Sequence, residues 1–145
     1  MTLSGLLSIV LNSNLINNTM TNKENSLIWE KYLAEKVQLR NLRGTNQGKI
    51  FGPMSYEVIK DDLVIGYVSW SGDSWAYMPH QTKRWHWDNS LQSQEKVVNR
   101  LIQLVMGIDV EMEHTTNPDI AEKIATDHIK ENPKYYTILK ANPKL

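Results

Sequence analysis

The chain has 145 residues, no cysteine, and sixteen Lys and Arg against sixteen Asp and Glu. That length suits one domain with an ordered appendage. The missing cysteines exclude disulfides, thiolate metal ligands and a cysteine nucleophile, and the charge balance gives the whole molecule no long-range attraction to nucleic acid or membrane. The balance is nevertheless uneven. Lys36, Arg40, Arg43 and Lys49 follow one another without an acid between them, whereas Asp109, Glu111, Glu113, Asp119, Glu122, Asp127 and Glu131 face only Lys123 and Lys130.

Residues 1–22 carry no ionisable side chain. Their apolar patch, Leu3, Leu6, Leu7, Ile9, Val10 and Leu11, is shorter than the roughly 20 apolar residues of a membrane span. A secretory signal also needs a basic start and a small-residue cleavage site, and neither is recognised. This segment is expected to be an extension that either docks on a partner or lies upstream of a start at Met20. Residues 23–43 read as an amphipathic helix, because Leu27, Ile28, Tyr32, Leu33 and Val37 recur at helical spacing. Gly44 to Gly48 reads as a linker.

Residues 50–107 read as a tryptophan-rich meander followed by a helix. Residues 56–60, 63–70, 75–78 and 84–88 are the expected strands, separated by turn residues at Asp61-Asp62 and Ser71-Gly72-Asp73-Ser74. Asn89 or Ser90 is expected to cap the helix, and Val97, Val98, Leu101, Ile102 and Val105 share one of its faces. Gly107 stands where a glycine just past a helix end would sit. Residues 108–145 read as a helical unit. Asn117-Pro118 opens a helix with the stripe Ile120, Ala121, Ile124, Ala125, His128 and Ile129, and Asn132-Pro133 breaks it before a short helix bearing Tyr135 and Tyr136. The expected fold class is α+β: a three- or four-stranded antiparallel sheet backed by one helix, with an N-terminal amphipathic helix and a helical C-terminal unit.

Three blocks in the last unit stand out: Val110-Glu111-Met112-Glu113-His114-Thr115, Ile124-Ala125-Thr126-Asp127-His128 and Pro133-Lys134-Tyr135-Tyr136. Over residues 107–139, under a quarter of the chain, this pattern resembles DUF5661, a domain of unknown function found in bacteria and their phages. The resemblance brings no established reaction. It implies a phage or mobile-element context, and with it the host cytoplasm or the virion as location.

Two groups of residues could carry chemistry. His114 and His128 with Glu111, Glu113 and Asp127 are the ligand types of zinc, iron or manganese, or of a hydrolytic centre, although their spacing is no known zinc signature. Adjacent helical residues such as Asp127 and His128 point about 100° apart, and a histidine in an apolar stripe serves equally as a hydrogen-bonded core residue. The second group is Trp70, Trp75, Lys83, Arg84, Trp85, His86 and Trp87. Aromatics interleaved with cations stack on single-stranded nucleic acid or anchor protein contacts, and in a small sheet they also fill the core. No Gly-x-Ser-x-Gly elbow, phosphate loop or dinucleotide fingerprint is present. The leading expectation is a non-enzymatic accessory protein without a cofactor that works through protein contacts or self-association. A metal or hydrolytic site and a nucleic-acid module are the alternatives.

Overall fold

A computed structural model of the chain describes residues 37–142. Five strands run β1 (Val37–Asn41), β2 (Ser55–Lys60), β3 (Leu63–Trp70), β4 (Trp75–Pro79) and β5 (His86–Trp87). Each pairs antiparallel with the next, so the sheet order is the chain order. The architecture is α+β, with one strand more than the sequence suggests. The β2–β3 turn is Asp61-Asp62, with φ of 53° and 65°. Positive φ at both central residues gives the twist that a two-residue hairpin requires, and Asp tolerates it.

The extra strand is β1, where the sequence predicts the end of a helix. Residues 23–36 of that expected helix lie outside the described residues. In β1, Val37 and Leu39 pack against the main core while Gln38 and Arg40 are exposed, and all five residues pair with β2. A two-residue period with a partner strand overrides the helical spacing that Val37 shares with Leu33. The expected linker after it is also structured. Helix α1 (Asn46–Phe51) starts at Thr45, whose hydroxyl oxygen accepts from the Gly48 amide at 3.0 Å. The expected fourth strand shrinks to the two residues of β5, with Lys83 just before it at a φ of 54° that no strand residue adopts.

Helix α2 (Gln94–Glu111) lies across one face of the sheet, as expected, but begins at Ser93 and continues through Gly107. A Cβ at Gly66 on β3 would stand 2.8 Å from a Leu101 methyl, so glycine is what lets the helix settle on the strand. Gly107 does not end the helix. A Cβ there would come within 2.4 Å of Cε2 of Tyr136 and 2.8 Å of Cβ of Ala125. Its role is close approach, not termination.

Helix α3 (Pro118–Glu131) opens as the sequence predicts, with the Asn117 side chain accepting from the Asp119 amide and Pro at the first helical position. Helix α4 (Tyr135–Ala141) follows the Asn132-Pro133 break. The main core joins Val58, Val68, Trp75 and Tyr77 of the sheet to Val97, Leu101, Leu104 and Ile108 of α2, and to Ala121, Ala125, Ile129 and Tyr136. A second cluster on the outer sheet face, Leu42, Tyr67 and Met78, is covered by Phe51 and Trp85. Among the described residues no helix is long and apolar enough to cross a membrane.

Candidate binding site at the sheet edge

The seven residues proposed from sequence as one aromatic and basic surface are dispersed. Trp75 is 7% exposed and sits in the main core, with Trp70 against it at 5.6 Å between ring centroids. A central strand facing a helix has little surface to offer there, and the Trp75 ring is taken up by packing. Trp85 closes the outer cluster edge-on to Phe51 at 5.3 Å. Lys83 is exposed, at φ 54° in the loop. Arg84 and His86 both turn to α3. Only Trp87, 65% exposed, keeps a large aromatic face in solvent.

What holds this edge is Glu122, which the sequence reading placed only within an acidic stretch. It is 1% exposed. A carboxylate removed from water needs charge and hydrogen-bond partners, and the loop between β4 and β5 supplies them. The Thr82 hydroxyl donates to Oε2 and the Arg84 guanidinium to Oε1. His86 Nε2 lies 3.3 Å from Oε2. Arg84 also reaches Asp119 at 3.3 Å, and its hydrogen bond to Glu122, then that acid's charge, hold the guanidinium above its ordinary range. The signal was present in the sequence: Glu122 stands three residues before Ala125 and seven before Ile129, on the buried stripe of α3.

Both neighbours of Trp87 are fixed. His86 stacks on Tyr77, with centroids 5.3 Å apart and planes 19° apart. Asp88 accepts from the Ser90 hydroxyl at 2.7 Å and the Ser90 amide at 2.8 Å, and from Arg100 at 2.9 Å. Those Ser90 bonds, with the Arg100 contact, hold the Asp88 carboxyl below the usual carboxylate range. Burial pushes the Tyr77 phenol up, and Arg100 opposes it. Beneath Trp87 opens a cleft of about 240 Å³, floored by Leu104 and Ile129 and flanked by Arg100 and Lys130. Sequence reasoning missed Thr82, Asp88, Arg100 and Glu122 because their partners come from other elements.

The other predicted group is brought together only in part. Glu111, 7% exposed at the end of α2, accepts from the Tyr136 hydroxyl at 2.9 Å. His128 Nε2 lies 3.8 Å from the same Glu111 oxygen, too far for a hydrogen bond, and stacks flat on Tyr135 at 4.2 Å. Glu113, His114 and Asp127 are exposed. Among the described residues no group of three or more His, Asp or Glu side chains is placed to hold a metal ion. The pair Glu111 and Tyr136 ties α2 to α4 through a buried hydrogen bond.

A family described as a protein of unknown function, DUF5661, has a model that matches residues 81–142. The match starts well before the blocks at residues 107–139 and takes in the loop with Thr82, Arg84 and His86 as well as Asp119 and Glu122. Both halves of the Glu122 lock therefore lie within the matched segment. Neither the curated proteins nor the solved structures gave a match.

Proposed function

We propose that this chain is a non-enzymatic accessory protein that works through protein contacts, self-association included, with the Trp87 edge as the contact surface. The observation that carries this reading is Trp87 itself, 65% exposed between two residues that are locked in place. An exposed tryptophan on fixed backbone loses little freedom when a partner covers it, and tryptophan is among the residue types enriched at interface hot spots. Arg100 and Lys130 beside the cleft supply the polar rim such an interface uses. The resemblance of the C-terminal blocks to a family of bacteria and their phages supports an accessory role in that setting, in the host cytoplasm or on the virion.

Light scattering on the size-excluded full chain over a concentration series tests this reading. The wild type is expected to gain mass with concentration, and Trp87→Ser to lose that gain by at least about tenfold, the size of a modest hot spot. Because the ring is exposed, the melting temperature of Trp87→Ser is expected to stay near the wild-type value. A wild type that stays monomeric, and from which a photocrosslinking side chain at position 87 traps no protein in cells, overturns the proposal.

A further inference from the structure

The cleft of about 240 Å³ beneath Trp87 is lined by groups of unlike chemistry. Leu104 and Ile129 make its floor, and the stacked rings of Tyr77 and His86 also line it. Arg100 and Lys130 flank it, but Arg100 is already paired with Asp88 at 2.9 Å, so the cleft is no free anion site. Its unused capacity is for accepting hydrogen bonds. The Thr126 hydroxyl donates its proton to the Glu122 carbonyl at 2.7 Å, and its oxygen keeps lone pairs to accept with. On Asp88, Oδ1 takes both Ser90 bonds while Oδ2 takes Arg100, and a carboxylate oxygen has room for a second donor.

An occupant that matches this lining is a flat apolar ring with one N–H to donate. The floor takes its face out of water, a flanking cation meets the negative face of an indole whether or not it is also ion-paired, and Asp88 or Thr126 accepts the N–H that a buried indole must place. The volume lies below the roughly 300 Å³ at which small-molecule sites usually begin, and suits a single side chain. Among the described residues Trp87 is the one fully exposed indole, and it stands at the mouth of this same cleft. A ring that roofs its own cleft cannot also fill it, whereas the ring of a second copy can. Knob and hole on one patch meet the requirement of a two-fold interface, in which a surface must fit itself. We propose that two copies of this chain pair about a two-fold axis, the Trp87 indole of each entering the cleft under the other's Trp87. This rests on the contact reading of the Trp87 edge and names its partner as a second copy.

Sedimentation equilibrium of the full chain tests this with two variants and their mixture. Trp87→Ser keeps the cleft but lacks the ring, and Thr126→Met fills the cleft but keeps the ring. Each alone is expected to dimerise at least about tenfold more weakly than the wild type. Mixed in equal amounts they are expected to recover dimers, because the ring of the Thr126→Met chain meets the open cleft of the Trp87→Ser chain. If Thr126→Met gives no folded spectrum, Lys130→Gln at the exposed flank is expected to weaken dimerisation at least about fivefold, one cation–indole contact being lost in each half. Dimers that need Trp87 but are indifferent to Thr126→Met or Lys130→Gln overturn the cleft as receptor and leave the contact reading standing. Loss in both single variants without recovery on mixing overturns the reciprocal insertion. A monomeric wild type overturns the pairing, while a different protein trapped at position 87 upholds the contact reading. Unchanged dimers in Trp87→Ser overturn both.

Discussion

At the scale of single residues, Tyr136 shows how burial becomes a pH dependence. Its side chain is fully buried and its hydroxyl donates to Glu111 at 2.9 Å. Burial first, then the hydrogen bond and charge of Glu111, push the phenol far above its ordinary value. A raised folded-state value keeps the native tyrosine neutral while the unfolded one ionises near pH 10. Its contribution is therefore whole below about pH 10 and is lost as the pH climbs beyond it. Tyr136→Phe is expected to cost about 1–3 kcal/mol at pH 7, since Glu111 loses its donor. That gap is expected to narrow above pH 10 in urea melts followed by circular dichroism. A gap that stays constant with pH would rule out the buried phenol as its source. Residues of this kind were half legible in sequence. Tyr136 and Glu111 both stand in the family-like sequence blocks, but their pairing depends on how α4 crosses α2. A carboxylate on a helix reads as solvated until its burial is known, although the register of Glu122 with Ala125 and Ile129 places it on the buried stripe.

Among the elements, the errors share one cause. Gly107 stands where glycine so often ends a helix, yet α2 runs four residues further, to Glu111. Tyr136 and Ala125 occupy the space its missing Cβ leaves. Exchanging a mid-helix glycine for alanine ordinarily gains up to about 1 kcal/mol. Here the added methyl would meet a ring at 2.4 Å, and overpacking of that kind costs about 1–3 kcal/mol. Gly107→Ala is thus expected to lower stability despite its better propensity, and a higher melting temperature in the variant would refute the close-contact account. The residues of β1 and α1 depart from their local pattern for the same reason: a neighbour in space decides it. Val37 and Leu39 alternate against β2, and α1 depends on the Thr45 cap. Where the signal is purely local, as in the Asp61-Asp62 turn and the Asn117-Pro118 helix start, the sequence was sufficient.

For the molecule as a whole, α2 is the member that packs on β3, β4, α3 and α4 alike. Its buried face shares one cluster with Val58, Val68 and Tyr77 of the sheet, and that cluster runs on to Ala121, Ala125, Ile129 and Tyr136 of the last two helices. A boundary drawn between residues 107 and 108 would cut this helix four residues from its end. Sheet and helices are therefore expected to unfold together. Tryptophan fluorescence, which reports mostly the sheet, and far-ultraviolet circular dichroism, which reports the helices, should give superimposable urea transitions. Two separated midpoints would show that the C-terminal helices form an independent unit. The α+β class was readable because it rests on alternation and periodicity. The proposed contact edge is not, since tryptophans of similar spacing end in the core, on the outer face and in solvent.

The Glu122 lock also sets an order of assembly. Thr82 and its acceptor are 40 residues apart along the chain, so a growing polypeptide completes β1 to β4 well before α3 exists. At about 5–20 residues per second of synthesis, Arg84 and His86 wait for seconds without their carboxylate, and until α3 emerges the last strand is held by β4 and by the Asp88 contacts with Ser90 and Arg100 alone. The sheet edge that displays Trp87 is therefore finished from the helical end of the protein, and late.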